Sequence, residues 1–289
     1  MAHAPGHRAG LLDGRGTGTD PGPGSGCGVR QHAYTWRLPG VAMTEFENAV
    51  YELDVYGFTV VEGVLSGDEV ESMRRVLVRL DEEAGVEREG EGSCRHVANL
   101  PTLDPIFFPV IDHPRILPIL EHYLEPTLIL GSLNSRIVRP GDGDQGFHSD
   151  IPAEMLNMTS PVMMNTVWML DGFSPENGGT RVVPGTHRSG LPRPASDAGV
   201  KYYVQPTASA GSVLIFNGQC WHAGGANRGS ANRHALFAHY RKRMLMFQYD
   251  PHEGFPAEWY GLLSDRQKEI MRMKHGVDAP RAADVQVFR

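Results

Sequence analysis

The sequence predicts a mainly β fold with flanking helices, built as a jelly roll or sandwich. Two observations carry this. From residue 127 onward short apolar runs follow one another: TLILGSLNSRIV, VMMNTVWML, TRVVPG, YYVQPT, GSVLIFNG, CWHAGG and RHALFAHY. Gly, Pro, Asn or Asp closes each of them, so turn signals recur about every ten residues. Helical periodicity is confined to the front of the chain and to its last part. Strands and helices therefore do not alternate as they would around a parallel sheet.

The elements follow in order. Residues 1–42 include GRGTGTDPGPGSGCG, too rich in Gly and Pro to bury a core, and are expected to be a disordered tail. Their Gly-x-Gly spacings have no strand before them and no helix after, so they do not make a phosphate loop. Residues 45–56 have a helical pattern, and FTVVEGV (58–64) alternates like a strand. Ser66 and Glu69 form a capping box, and Val70, Met73, Leu77 and Leu80 make one apolar stripe behind it. A polar, Gly-rich loop is expected over 85–93. Asp112 reads as the cap of a further helix, with Pro114 at its first position. After the strands, residues 256–275 read as helical, with Trp259, Leu262, Leu263 and Met271 as packing residues.

Composition narrows the function classes. In 289 residues, 40% are apolar and 21% charged, the balance of an ordinary globular protein. The net charge of −7 argues against a broad nucleic-acid or anionic-membrane surface. No run approaches the roughly 18 apolar residues of a membrane span, and no apolar signal core opens the chain. Cys27, Cys94 and Cys220 offer neither a disulfide framework nor a paired zinc spacing. A protein of the reducing cytoplasm is the expected reading.

The chemistry is concentrated in a few residues. GFHSDIPAE places His148 and Asp150 two apart, and on an extended segment such residues point to one side. His222 follows the apolar GSVLIFNG and an Asn217-Gly218 turn. Two histidines and a carboxylate are the donor set of non-haem Fe(II) sites, which keep positions open for other ligands. Arg233 comes 233 − 222 = 11 residues after His222, across an Asn/Gly-rich turn. The two are expected on neighbouring antiparallel strands, facing the barrel interior. A guanidinium there can grip a carboxylate through paired hydrogen bonds.

These four residues, with NGGTRVVPGTHR (177–188) between them and YGFTVVEGVLSGDEV in front, resemble the phytanoyl-CoA dioxygenase family over about residues 46 to 250. The resemblance implies a double-stranded β-helix, the cupin-like jelly roll, in a single domain over 43–289. It also implies Fe(II) as cofactor and 2-oxoglutarate and O2 as co-substrates. His148, Asp150 and His222 then become the metal ligands and catalytic centre. Arg233 becomes the partner of the distal carboxylate of 2-oxoglutarate, with Thr180, Trp168 and Asn134 as further co-substrate contacts. The implied reaction oxidises an unactivated C–H bond, usually by hydroxylation, and releases succinate and CO2. The substrate is expected to be a small secondary metabolite. Family members often carry a hydroxyl residue two past the distal histidine; Gly224 stands there instead. Asp150 disfavours halogenation, which needs a small residue in that place. The alternative is a cupin-like binding module or isomerase, which has no need of Arg233. His187, His234 and His239 are expected to be structural, with His239 on the face of Arg233. Cys220 is expected to be a buried small hydrophobe, and Arg241-Lys242-Arg243 a solvated strand end.

Overall fold

A computed structural model describes residues 43–84, 96–156, 160–193 and 195–274. The Gly/Pro-rich segment and the loop 85–93 lie outside the described residues.

The front of the chain forms as its signals require. Helix α1 (Glu45–Tyr56) opens on a capping box between Thr44 and Glu47 and buries Ala49 and Leu53. Strand β1 (Phe58–Val61) follows, and then α2 (Gly67–Ala84). Ser66 and Glu69 close the box at the start of α2: the Ser66 N–H donates to the Glu69 carboxylate at 2.8 Å, and the Glu69 N–H to the Ser66 hydroxyl at 3.3 Å. Val70, Met73 and Leu77 are buried on its inner face, and Leu80 is packed against them. Next come α3 (Phe108–Ile111) and α4 (Leu117–Leu124).

Asp112 does not cap a helix. A turn intervenes, in which the N–H groups of Ile116 and Leu117 both reach the His113 carbonyl. The Asp112 carboxylate instead accepts from Ser264 and Gln267, each at 2.7 Å. These two residues belong to the start of α5 (Asp265–Ile270), whose own capping box is Ser264/Gln267. The helix expected over 256–275 is thus a 3-10 turn (Ala257–Leu262) followed by α5, broken at Ser264 because that residue is used as a cap. Leu263 and Met271 are buried, but Leu262 is exposed.

The strands are β2 (Ile129–Val138), β3 (Met163–Met169), β4 (Thr180–Val182), β5 (Val213–Asn217), β6 (His222–Gly224) and β7 (Arg233–Arg241). The larger sheet runs β1-β5-β3-β7-β2, antiparallel throughout, and the smaller is β4-β6. The segment 145–150 extends the smaller sheet. It is tied to β6 and to the turn before it by bonds from Gln145 to Gly224, between His148 and His222, and from Asp150 to Gly218. YYVQPT is not a strand and contributes one isolated bridge, Val204 with Val182.

Both faces of the larger sheet are covered, so its central strands read as continuous apolar runs. One face carries Leu133, Trp168, Ile215, Leu236 and Tyr240 into the helical layer. The Tyr240 hydroxyl donates to the carbonyls of Val110 and Ile111, pinning α3 to β7. The other face turns Val167, Met169, Phe216 and Phe237 toward Val182 and Cys220. Each fully buried side chain of this size contributes about 1.5–3 kcal/mol. No helix among the described residues is long and apolar enough to cross a membrane.

Candidate metal centre

His148, Asp150 and His222 meet where the segment 145–150 runs beside β6. One ligand atom from each lies within 4.8 Å of the others, the one such group of three among the described residues. His148 and His222 are bridged backbone to backbone by two 2.9 Å hydrogen bonds, which fixes the two rings side by side at 4.3 Å between centroids. The Asp150 N–H donates to the Gly218 carbonyl at 3.0 Å, which holds the carboxylate at the same edge. The His148 Nε2 is 3.7 Å from Asp150 Oδ1, and the His222 Nε2 is 3.4 Å from Oδ2.

The remaining ring nitrogens select the tautomer. His148 Nδ1 lies 3.0 Å from the Gly146 carbonyl, and His222 Nδ1 lies 3.0 Å from the Cys220 carbonyl. A carbonyl can only accept, so both Nδ1 atoms carry the proton and both Nε2 lone pairs face the aspartate. Burial pushes His222 down to about 4, against the opposing pull of Asp150, so the ring is neutral at ordinary pH. Burial pushes the Asp150 carboxyl up, but His222, His239, His148 and the Asn165 amide outweigh it and hold it below its usual range. The neutral His222 ring, the His148 ring and an ionised carboxylate therefore direct three donor atoms to one point.

Arg233 is buried at the start of β7. Its guanidinium lies 4.5 Å over the Phe173 ring and donates to the Gly178 carbonyl at 2.8 Å. Phe173 belongs to the same apolar cluster as Phe216, whose ring is 4.5 Å from that of His222. The cluster thus joins His222 to Arg233. They are not on neighbouring strands, however. His222 is in the smaller sheet and Arg233 in the larger, and the turn 225–232 crosses between them. Asn227 anchors that crossing by donating to the carbonyls of Val138 and Ala231. Two Gly-Gly pairs pack together beneath it. A Cβ on Gly178, at φ 78°, would come within 2.4 Å of the Gly225 carbonyl oxygen, and one on Gly225 within 2.8 Å of the Gly179 carbonyl oxygen. That contact is why NGGT and HAGG both need glycine.

The other expected contacts divide. Thr180 is buried opposite Gly224, two steps along from the Val182–His222 pair. Asn134 stands opposite Phe237, and its side-chain oxygen accepts from the Asn99 N–H at 2.9 Å. Trp168 is not at the site. Alternation along β3 sends Asn165, Val167 and Met169 inward but Met164, Trp168 and Leu170 toward the helices. There the Trp168 indole N–H donates to Thr166 at 2.9 Å, and the ring stands edge-on to His113 at 5.5 Å.

Asn165 is the residue that sequence reasoning missed. Its amide donates to Asp150 Oδ2 at 2.7 Å. The signal was an amide in the otherwise apolar run VMMNTVWML. His239 lies on the interior face of β7 beside the Phe237 ring, and burial pushes it down to about 4. His187 is buried near the Asp54 carbonyl, His234 is paired with Asp171 at 2.7 Å, and burial raises the Cys220 thiol to about 11. In the basic run, Lys242 pairs with Glu125 and Arg241 donates to the Met246 carbonyl.

Comparison with known proteins gives consistent results. The family model Phytanoyl-CoA dioxygenase (PhyH) matches residues 53–235. Dioxygenase af480 of Aspergillus fumigatus is 27% identical over 246 residues, spanning 79% of this chain and 77% of the relative. Uncharacterized protein Rv1501 of Mycobacterium tuberculosis is 28% identical over 72% of this chain and 79% of its own. Among solved structures, HygX from Streptomyces hygroscopicus with nickel, 2-oxoglutarate and hygromycin B bound superposes with a TM-score of 0.62 at 20% identity, over 72% of this chain and 90% of that one. The non-heme alpha ketoglutarate dependent epimerase SnoN from nogalamycin biosynthesis gives a TM-score of 0.56 at 24% identity, over 68% and 82%. At these identities the solved structures establish the jelly-roll fold.

Proposed function

This chain belongs to the phytanoyl-CoA dioxygenase family, and we propose that it is an Fe(II)- and 2-oxoglutarate-dependent oxygenase that hydroxylates a C–H bond of a small secondary metabolite. The single observation that supports this most is the convergence of His148, Asp150 and His222 on one point. Each imidazole has its Nδ1 engaged and its Nε2 open. That donor set suits Fe(II) and covers only part of its coordination sphere.

His148, Asp150 and His222 would hold the iron. Bound there with 2-oxoglutarate and O2, it would supply an oxidative decarboxylation yielding succinate and CO2, coupled to oxidation of the substrate. The chain does the rest. Arg233 grips the distal carboxylate of 2-oxoglutarate through its guanidinium fork. Thr180 and Asn134 lie on the co-substrate side. Phe216, Phe237, Val167 and Met169 form an apolar lining that excludes water between the two sheets. Asp150 fills the third ligand position, which leaves no place for a halide and favours hydroxylation. The solved relative that holds hygromycin B and the one from nogalamycin biosynthesis support a secondary metabolite as the substrate class.

The test is succinate release from 2-oxoglutarate by protein reconstituted with Fe(II) and ascorbate, alone and with a panel of metabolites. Slow uncoupled release that is lost in His222→Ala, and stimulation by at least one metabolite, are expected. A protein that neither binds the metal nor turns over 2-oxoglutarate is the cupin-like binding module instead.

A further inference from the structure

The interior face of β7 carries a second cationic end. Alternation puts Arg233, Phe237, His239 and Arg241 on one side of the strand. Arg241 is 241 − 233 = 8 residues beyond Arg233. At about 3.3 Å per residue their Cα atoms are about 26 Å apart, too far for one molecule of 2-oxoglutarate to engage both guanidinium groups. His239 and Arg241 stand opposite Asn165 and Met163 of β3, and Asn165 is the residue bonded to Asp150. Both feel the Asp150 charge, and His239 also feels Arg241. Neither is satisfied by the protein. The His239 Nδ1 and the Arg241 Nε are buried with no hydrogen-bond partner. The Arg241 Nη1 donates to the Met246 carbonyl at 2.7 Å, and no carboxylate pairs with this guanidinium among the described residues. A partly buried cation without a counter-ion is costly unless a ligand supplies one. The backbone makes room for it: Arg241 lies across Gly131 of β2, where a Cβ would come within 2.6 Å of Nε. Arg136, over the Phe237 ring at 5.5 Å, adds to the positive potential on His239. Fe(II), Asp150, 2-oxoglutarate and Arg233 together sum to zero charge, so the charge of Arg241 is left over when the centre is loaded.

We propose that His239 and Arg241 form a substrate subsite for an oxyanion, a carboxylate or a phosphate monoester, beside the metal centre and at the end of β7 opposite Arg233. The substrate is then an acidic metabolite. Its anion docks on Arg241 Nη2 and His239 Nε2, and its carbon skeleton lies toward the centre, along the row of Phe237 and Val167. Burial keeps the His239 ring neutral, so it has one N–H to give, and an oxyanion at Nε2 selects the tautomer that places the proton there. The inference deepens the metal-centre reading above and rests on it.

Paramagnetic relaxation of three probes, benzoate, phenyl phosphate and methyl benzoate, tests it. The full chain is loaded with Mn(II) and saturating 2-oxoglutarate, with a Zn(II)-loaded sample as the diamagnetic reference. At least one of the two anions is relaxed by the Mn(II) protein and binds about tenfold more tightly than the uncharged ester, the worth of one charge-assisted bond. The better of the two anions names the group. Arg241→Gln removes most of this advantage and His239→Phe part of it, whereas Arg241→Lys, which keeps the charge, retains it. Methyl benzoate bound as tightly as the anions overturns the subsite. So does anion binding that survives Arg241→Gln, or that falls away as 2-oxoglutarate is raised, since the anion then sits in the place of the co-substrate. The contrast between anions and ester is read on the wild type, so it decides even if a variant fails to fold. A chain that binds neither Mn(II) nor 2-oxoglutarate refutes the metal centre itself, whereas a loaded chain that leaves all three probes unrelaxed refutes only the subsite.

Discussion

Replacing Arg233 by Gln separates the clamp from the metal. The guanidinium is buried over Phe173 with one N–H given to Gly178. A guanidinium has five N–H groups in a planar fork, a geometry that matches a carboxylate through two parallel bonds. Two charge-assisted bonds at about 1.5–3 kcal/mol each give about 3–6 kcal/mol. A glutamine at the same place reaches less far and recovers at most one bond, about 1 kcal/mol. The net loss is about 3 kcal/mol, or about a hundredfold in 2-oxoglutarate affinity. Arg233 touches none of the three ligands, so Ni(II) affinity without co-substrate stays within about twofold. Anaerobic titration of the Ni(II)-loaded protein with 2-oxoglutarate, beside calorimetry with Ni(II) alone, reads both numbers. An affinity loss below about fivefold would make Arg233 a packing residue on Phe173. An equal loss of metal affinity would show that the substitution damages the fold rather than the clamp.

Three further outcomes are expected. A Cβ on Gly224 would meet nothing nearer than the Gln145 side-chain oxygen at 3.4 Å, so Gly224→Ser fits and supplies the hydroxyl that the family resemblance leads one to expect there. It tightens 2-oxoglutarate severalfold, about 1 kcal/mol, and an unchanged dissociation constant would place the co-substrate elsewhere. Trp168→Phe removes the bond to Thr166 and part of a fully buried ring. It lowers unfolding stability by about 1–3 kcal/mol and leaves 2-oxoglutarate affinity alone; weaker 2-oxoglutarate binding at unchanged stability would return Trp168 to the site. Acid destabilises the metal-free protein through His222. Its folded value of about 4 lies below the unfolded 6.5, so the unfolded chain binds the proton first, and stability present above pH 6.5 is lost as pH falls toward 4. The full loss is about 3 kcal/mol at about 1.4 kcal/mol per pH unit. Denaturant titrations across this range should show the decline, and His222→Gln should make it shallower by about 3 kcal/mol, leaving the share of His239, which burial also pushes down to about 4; an equal slope in both would assign the effect to other groups.

Local signals proved legible where the chemistry is local. Thr44, Ser66 and Ser264 cap helices because a hydroxyl and an N3 carboxylate or amide satisfy N–H groups within four residues. Ser66 could be read in advance because Glu69 and the stripe behind it agree. Asp112 misled because its carboxylate is taken by Ser264 and Gln267, residues 152 and 155 positions away, and no local pattern encodes such a partner. YYVQPT alternates acceptably but lies at the rim, with Tyr202 largely exposed, so it pairs only at Val204, with Val182. Trp168 was placed at the site by the family resemblance, and on a strand buried on both faces one step of alternation decides which side a residue faces. Asn165 was hidden for that reason, since a strand with no solvated side offers no contrast to say which face is inward.

The eleven-residue interval between His222 and Arg233 has a different cause from the one its spacing suggests. Neighbouring strands would set the distance between the two through a ladder. Here His222 is in register with Val182 in one sheet and Arg233 with Val138 in the other. Their separation is therefore set by how the two sheets stack, typically about 10 Å apart. That gap, less the side chains, suits a ligand of a few carbons with an anion at each end. The turn 225–232 only has to cross it, and Asn227 holds the crossing at Val138. Metal ligands on one sheet and a cation on the facing sheet would suit a ligand that bridges both, the role proposed for 2-oxoglutarate. A monocarboxylate could meet either end but not both, which is the physical reason the proposed roles of the three ligands and Arg233 favour a dicarboxylate.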